Sequence, residues 1–141
     1  MELTGRTLVP GRAAGAAVVL AEPLSFWGGL DPATGRVIDA RHPQRGTALG
    51  GRVLVMPTGR GSSSSPSVLA EAVRAGTAPA AIVLTEPDPL VALGAIVARE
   101  LYGTAPPVVV LEPDAHARIP DGAGVEVEAV GGRAAVRVER R

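Results

Sequence analysis

The segment from Thr58 to Pro66 has the residue types best suited to chemistry. It reads Thr-Gly-Arg-Gly-Ser-Ser-Ser-Ser-Pro and lies between an apolar run and the start of a predicted helix. Free backbone N–H groups and the helix dipole favour a bound anion at such a position. Gly59 and Gly61 let the backbone approach a ligand closely, and the Arg60 guanidinium suits a carboxylate or a phosphate. The segment therefore predicts an anion site.

The residues between Thr58 and Ser65, called the serine run below, leave other interpretations open. The run lacks the lysine and the spacing of a nucleotide-binding P-loop, and its serines lack the G-x-S-x-G pattern of a hydrolase nucleophile. A flexible glycine/serine connector, with Ser65 as an ordinary helix cap, explains the composition about equally well. The position of the run directly after a predicted buried strand favours a binding site.

A second segment, Pro23–Gly35, contains two of the three aromatic residues of the chain. An aromatic pair in a glycine-rich loop can line a pocket or dock a partner. The alternative is that both rings fill a small local core. The residues predicted to form a pocket or an interface are Ser25, Phe26, Trp27, Gly28 and Gly29.

The histidines and acids give weaker signals. His42 and His116 are each isolated, with no metal-ligand neighbour three or four residues away, and we expect both to be surface or turn residues. Asp31 precedes Pro32 and fits a turn better than a catalytic acid. The remaining acids show no spacing that singles out a catalytic pair, and no metal site is predicted in this chain.

Composition excludes several classes of protein. The 14 arginines balance 14 acidic residues to a formal net charge of zero, which argues against a nucleic-acid binder. The absence of cysteine excludes disulfides and thiolate-ligated metal or iron–sulfur sites within this chain. No export signal is evident, and the apolar stretch from Leu90 to Leu101 is too short to span a bilayer. We expect one cytoplasmic domain over residues 1–141, without membrane contact.

Strands and helices are predicted on both sides of these segments, and they alternate in the middle of the chain. Residues 22–44 contain many chain breakers and predict a long loop with a short strand near Val37. Two helices are expected: one follows Ser65 and ends at Gly76, and one is capped by Asp88 and closed by Gly103. The second is apolar on most faces and should be well buried. The predicted strands cover residues 2–9, 13–20, 52–56, 80–84, 107–111, 125–130 and 133–139.

The order strand, helix, strand, helix, strand in the middle of the chain implies parallel pairing with right-handed crossovers. Gly131-Gly132 joins the last two strands in a hairpin. We therefore predict an α/β domain in which β-rich termini surround a central βαβαβ unit.

Both informative segments resemble the signature loops of the swivel domain, or small subunit, of the aconitase X family. The resemblance is carried by Pro23–Pro32 and Gly59–Ser65, and it continues through Thr77–Leu84 and Leu93–Ala98. It implies a swivelling β/β/α domain that closes over a larger, cysteine-bearing catalytic subunit. It also implies hydro-lyase chemistry: one branch of the family dehydrates cis-3-hydroxy-L-proline, and another dehydrates a phosphorylated mevalonate.

The same resemblance assigns roles within the serine run. It implies that Ser62 is the catalytic base. From their residue types, we expect Arg60, Gly61, Ser63 and Ser64 to bind the substrate carboxylate. An iron–sulfur cluster or iron centre would belong to the large subunit, so this chain would bind no cofactor alone. The four serines from Ser62 to Ser65 resemble this loop in the hydroxyproline branch, and we therefore expect cis-3-hydroxy-L-proline as the substrate. A phosphomevalonate dehydratase small subunit is the alternative, and so is an anion-binding module that catalyses no reaction.

Overall fold

The computed structural model describes residues 1–58 and 65–139. The elements in chain order are β1 (Glu2–Val9), β2 (Gly11–Val19), α1 (Phe26–Gly29), β3 (Leu30–Asp31), β4 (Arg36–Val37), β5 (Val53–Val55), α2 (Ser65–Ala75), β6 (Ala81–Leu84), α3 (Pro89–Tyr102), β7 (Val108–Val110), α4 (Pro113–His116), β8 (Gly124–Val130) and β9 (Arg133–Val138). All predicted strands and both predicted helices are present, with ends that shift by up to two residues. The short elements α1, β3 and α4 were not predicted.

Seven of these strands close a barrel in the order β1-β7-β6-β5-β2-β8-β9. Strands β5, β6 and β7 pair in parallel, because α2 and α3 return the chain to the same end of the sheet. The terminal strands complete the barrel: β2 runs parallel to β5, and β1 runs antiparallel to both β7 and β9. The α/β architecture with β-rich termini is therefore confirmed.

Two apolar cores lie on opposite sides of the barrel wall. Val53, Val83 and Val136 are fully buried in the cluster that fills the barrel. Leu54 and Leu69 are fully buried in the cluster between the barrel and the helices. Successive residues of a strand point to opposite faces, so a parallel strand that is covered on both sides needs an uninterrupted apolar run. This requirement explains the run Val53-Leu54-Val55.

Helix α3 begins and ends as predicted. The Asp88 carboxylate accepts the N–H groups of Leu90 and Val91 at 3.0 and 3.2 Å, and Gly103 ends the helix with φ of 76°. The prediction that α3 is buried on most faces is wrong, because Leu93 is 47% and Ile96 is 48% exposed. Among the described residues, α2 and the barrel pack against this helix, and Leu93 and Ile96 on its other side are about half exposed. No helix in the described ranges is long and apolar enough to cross a membrane.

The breaker-rich stretch after β2 does contain the expected short strand, since β4 includes Val37. His42 lies in a turn of this stretch, as predicted, but it is only 4% exposed. Its Nδ1 accepts the Gln44 N–H at 3.1 Å, so Nε2 carries the hydrogen and donates to the Glu22 carbonyl at 3.1 Å. A surface position is therefore wrong for His42, because its ring is buried and links the backbone of Glu22 to that of Gln44.

Candidate functional site

The carboxyl ends of the three parallel strands meet at one edge of the barrel. Beyond β5 the chain continues through Met56 to Thr58, beyond β6 to Thr85 and Glu86, and beyond β7 into α4. In α/β folds, both open sheets and barrels, ligands bind beyond the carboxyl ends of the parallel strands. The serine run follows Thr58 directly in the sequence, so both chemistry and topology point to this edge.

The predicted catalytic and substrate-binding residues of the run lie outside the described residues. They are Arg60, Gly61, Ser62, Ser63 and Ser64. Their roles as base and carboxylate ligands therefore stay predictions. The residues on either side of the run are described, and they show how its two ends are held.

Thr58, immediately before the run, is fixed to the end of β6. Its N–H donates to Thr85 Oγ1 at 3.2 Å. Its own hydroxyl donates to the Glu86 carbonyl at 3.0 Å and accepts the Glu86 N–H at 3.1 Å. Three hydrogen bonds thus extend the β5–β6 contact beyond the last ladder pair, and they set where the chain leaves the barrel.

His116 holds the same strand end from a third element. Its Nε2 lies 3.1 Å from the Met56 carbonyl oxygen and 3.3 Å from that of Val83. Both partners are acceptors, so Nε2 must carry the hydrogen. The residue is only 9% exposed, and burial lowers the pKa of the imidazole below its usual value. The expected surface or turn position of His116 is therefore wrong: it ends α4 with its ring buried.

One sequence signal for this element was available. Glu112-Pro113-Asp114 places a proline and an acid at the start of a helix, which is a typical helix N-terminus. Proline does occupy the start of α4, and the first turn contains Asp114. The helix has only four residues, too few to show an apolar period, and so sequence reasoning missed it.

Ser65, immediately after the run, is held by the aromatic loop. It is 3% exposed, and its hydroxyl oxygen lies 3.4 Å from that of Ser25. The same oxygen accepts the Trp27 N–H at 3.4 Å. The structure thus brings two of the predicted pocket residues, Ser25 and Trp27, against the first residue of α2.

The aromatic pair divides between the core and the solvent. Phe26 is 1% exposed and packs in the cluster beneath the helices, whereas Trp27 is 59% exposed. Gly28, directly after Trp27, has φ of 75°, a conformation that favours glycine. At Gly29 a Cβ would lie 2.7 Å from the Leu24 side chain. Two glycines therefore allow the turn that buries one ring and presents the other.

The described part of the chain contains no group of three or more His, Asp or Glu side chains that could hold a metal ion. The full sequence contains no cysteine, and protein-bound iron–sulfur clusters are held by cysteine thiolates. The residues present therefore do not fit such a centre, and no catalytic step through iron follows from this chain.

The aconitase X swivel domain model matches residues 2–137. The cis-3-hydroxy-L-proline dehydratase of Pseudomonas aeruginosa is 53% identical over 106 residues, which are 75% of this chain and 18% of that protein. The phosphomevalonate dehydratase small subunit of Methanothermobacter thermautotrophicus is 45% identical over 98 residues, covering 70% of this chain and 75% of that one. The chain thus corresponds to about a fifth of the matched hydroxyproline dehydratase.

A solved structure agrees with these relatives. One chain of the crystal structure of Thermococcus kodakaraensis aconitase X superimposes with a TM-score of 0.86 and 35% identity, over 99% of both chains. Agreement over the whole length includes the barrel, the helices and the strand ends that flank the serine run. From this fold and the family match, we conclude that the chain belongs to the aconitase X swivel domain family.

Proposed function

We propose that this chain is the small subunit of an aconitase X-type dehydratase, a hydro-lyase. The observation that carries the proposal is the family match across residues 2–137, which includes the serine run. Relatives at 53% and 45% identity are both named dehydratases. Thr58 and Ser65, the described residues on either side of the run, are each held by hydrogen bonds to other elements, which supports the proposal.

In this proposal Ser62 is the base. The Ser62 alkoxide takes the proton from the carbon beside the substrate carboxylate and becomes a hydroxyl, and the electron pair of that C–H bond forms the C=C bond. The C–O bond at the neighbouring carbon breaks, and the group leaves as hydroxide, which takes a proton from solvent to become water. Ser62 then returns its proton to solvent. A serine oxygen that accepts protons benefits from a nearby helix N-terminus. Helix α2 begins at Ser65, and its first turn, which is fully described, contains no acidic residue to oppose a negative charge.

The carboxylate of the substrate is proposed to bind Arg60, Gly61, Ser63 and Ser64. The guanidinium of Arg60 can make a two-pronged contact with a carboxylate. The backbone N–H groups after Gly61 supply further donors. The reaction then needs a second protein that provides iron or an iron–sulfur cluster, because this sequence has no thiolate ligand.

The partner is proposed to be a large catalytic subunit, joined to this chain as a heterodimer in the cytoplasm. The matched region is only 18% of the Pseudomonas aeruginosa relative, so most of that dehydratase lies outside the part that resembles this chain. The exposed Trp27 ring next to the end of the serine run is a suitable contact for such a partner. Ser25, Phe26, Gly28 and Gly29 shape the loop that presents it.

We propose cis-3-hydroxy-L-proline as the substrate. The higher identity, 53%, is to a dehydratase of this compound, and a small amino acid needs only one carboxylate site. Phosphomevalonate is the second candidate. The relatives named for phosphomevalonate dehydration are small subunits, and this chain covers 75% of one of them. This observation favours phosphomevalonate.

The test uses the chain alone and co-purified with a large subunit encoded beside it. We expect no turnover and no stoichiometric iron in the lone chain. We expect dehydration by the complex, with a higher kcat/KM for cis-3-hydroxy-L-proline than for the phosphorylated acid. The reverse preference would overturn the substrate assignment. A complex that dehydrates neither compound but binds carboxylates would favour the anion-binding module.

A further inference from the structure

His116 is a buried titratable side chain at the candidate site to which the serine chemistry gives no role. It stands at the end of α4, after the third parallel strand, and its imidazole reaches back to the ends of the other two. Its ring contacts neither the aromatic loop nor the start of α2 by any hydrogen bond among the described residues. The hydrogen bonds of its ring among the described residues are therefore those to the strand ends.

The hydrogen bond from His116 to Met56 lies just beyond the last residue pair of the β5–β6 ladder. The parallel ladder between β5 and β6 ends at the pair Val55 and Val83. Beyond it, the Met56 N–H still donates to the Val83 carbonyl at 3.2 Å, and the Met56 carbonyl accepts from His116 at 3.1 Å. Both backbone polar groups of Met56 are thus occupied, one of them by a side chain from a distant element.

We propose that His116 is a positioning residue for the reaction. It fixes the direction in which the chain leaves β5, through the Met56 carbonyl, three residues before Gly59, where the serine run begins. A single N–H is shared between carbonyls of two neighbouring strands, so a shift of either strand end disturbs both contacts. This role rests on the proposed function, because it matters for catalysis only if the run supplies the base.

A positioning role for His116 predicts a different experimental result from a role in stabilising the whole fold. The barrel is already closed by seven strands, so loss of the His116 contact should loosen Met56 and Thr58 more than the fold as a whole. A displacement of about 1 Å at a catalytic group can cost about a hundredfold in rate. The contact should therefore affect kcat more than substrate binding.

The test compares His116→Asn with His116→Gln. A glutamine amide nitrogen occupies about the place of Nε2 and can still donate, whereas the asparagine amide is too short to reach Met56. Val136→Ala, a cavity in the barrel core on β9, is the control for a loss of stability elsewhere. The measurements are amide hydrogen exchange at Met56 and Thr58 in the full chain, and kcat and KM of each variant in complex with the large subunit.

We expect His116→Asn to speed exchange at Thr58 by at least about tenfold relative to Val136→Ala at a similar loss of Tm. We expect kcat to fall by at least about tenfold with KM changed less than about twofold, and His116→Gln to restore most of both. Unchanged exchange at Thr58, or equal effects of Val136→Ala, would overturn the proposal. If His116→Asn does not fold, His116→Gln alone decides. A His116→Gln variant with wild-type Tm and near-normal kcat supports the proposal, and one with wild-type Tm but a tenfold lower kcat overturns it.

These outcomes separate the two proposals. An inactive wild-type complex would refute the proposed function, yet exchange at Met56 and Thr58 would still show whether His116 holds this strand end. An active complex whose asparagine variant keeps full kcat would refute the role of His116 alone.

Discussion

The hydroxyl oxygens of Ser25 and Ser65 lie 3.4 Å apart, although 40 residues separate them in the chain. Through this contact the aromatic loop meets the first residue of α2, and the Trp27 N–H reinforces it at 3.4 Å. The far end of the serine run is therefore held by a loop that also presents an exposed tryptophan. A partner that contacts Trp27 would lie next to Ser65, because the Trp27 N–H donates to the Ser65 hydroxyl.

Removal of the Ser65 hydroxyl should lower the free energy of unfolding by about 1 kcal/mol, because the group is buried and bonded to two partners. The measurement is urea unfolding of Ser65→Ala. Ser25→Ala should cost less, since Ser65 keeps the Trp27 N–H. The double variant should lose less than the sum of the two single losses. Strict additivity would show that the two hydroxyls do not interact in solution.

Ser62→Ala should lower kcat of the assembled dehydratase by at least about a hundredfold, the usual contribution of a general base. The free energy of unfolding should change by less than about 0.5 kcal/mol, as for a substitution outside the core. Ser63→Ala and Ser64→Ala are the matched controls, with smaller effects expected mainly on KM. A Ser62→Ala enzyme with near-normal kcat would move the base to one of its neighbours.

Acid should destabilise the fold through His116. Burial lowers its pKa in the folded chain from the usual 6.5, so the unfolded chain binds more protons between the two values. The stability contribution of the neutral ring is therefore complete above about pH 6.5 and is lost as the pH falls through the folded pKa. The measurement is urea unfolding of wild type and His116→Gln across this range. The wild type should lose stability relative to the variant on acidification; a relative gain would contradict the assignment.

Trp27→Ala should weaken binding to the large subunit by at least about tenfold, since exposed tryptophans often dominate interfaces. The isolated chain should lose little stability, because the ring is 59% exposed. Leu101→Ala, at the end of α3 and 64% exposed, is the control for loss of an exposed apolar side chain. Phe26→Ala should instead cost about 3 to 5 kcal/mol of stability, because that ring is in the core. Unchanged affinity of Trp27→Ala would remove the aromatic loop from the interface.

Much of the fold was predictable from local patterns. Uninterrupted apolar runs predicted the parallel strands, and Asp88 and Gly103 marked the ends of α3, because a cap and a left-handed residue are local requirements of a helix. Gly131, with φ of 65°, closes the last hairpin as its sequence indicates. The serine run and the aromatic loop were likewise recognisable as candidate segments from residue type and spacing.

Other features depend on contacts between residues that are far apart in the chain. Pairing of β1 with β7 and of β2 with β5 closes the barrel, and no local pattern encodes which distant strands will meet. A single polar residue forms no repeating sequence pattern from which burial could be predicted. His42 and His116 are buried because the tertiary fold brings backbone carbonyls within hydrogen-bond distance of their rings. The open face of α3 has the same origin: its apolar residues favour burial, but burial requires a neighbouring element, and in the described chain only α2 and the barrel cover this helix.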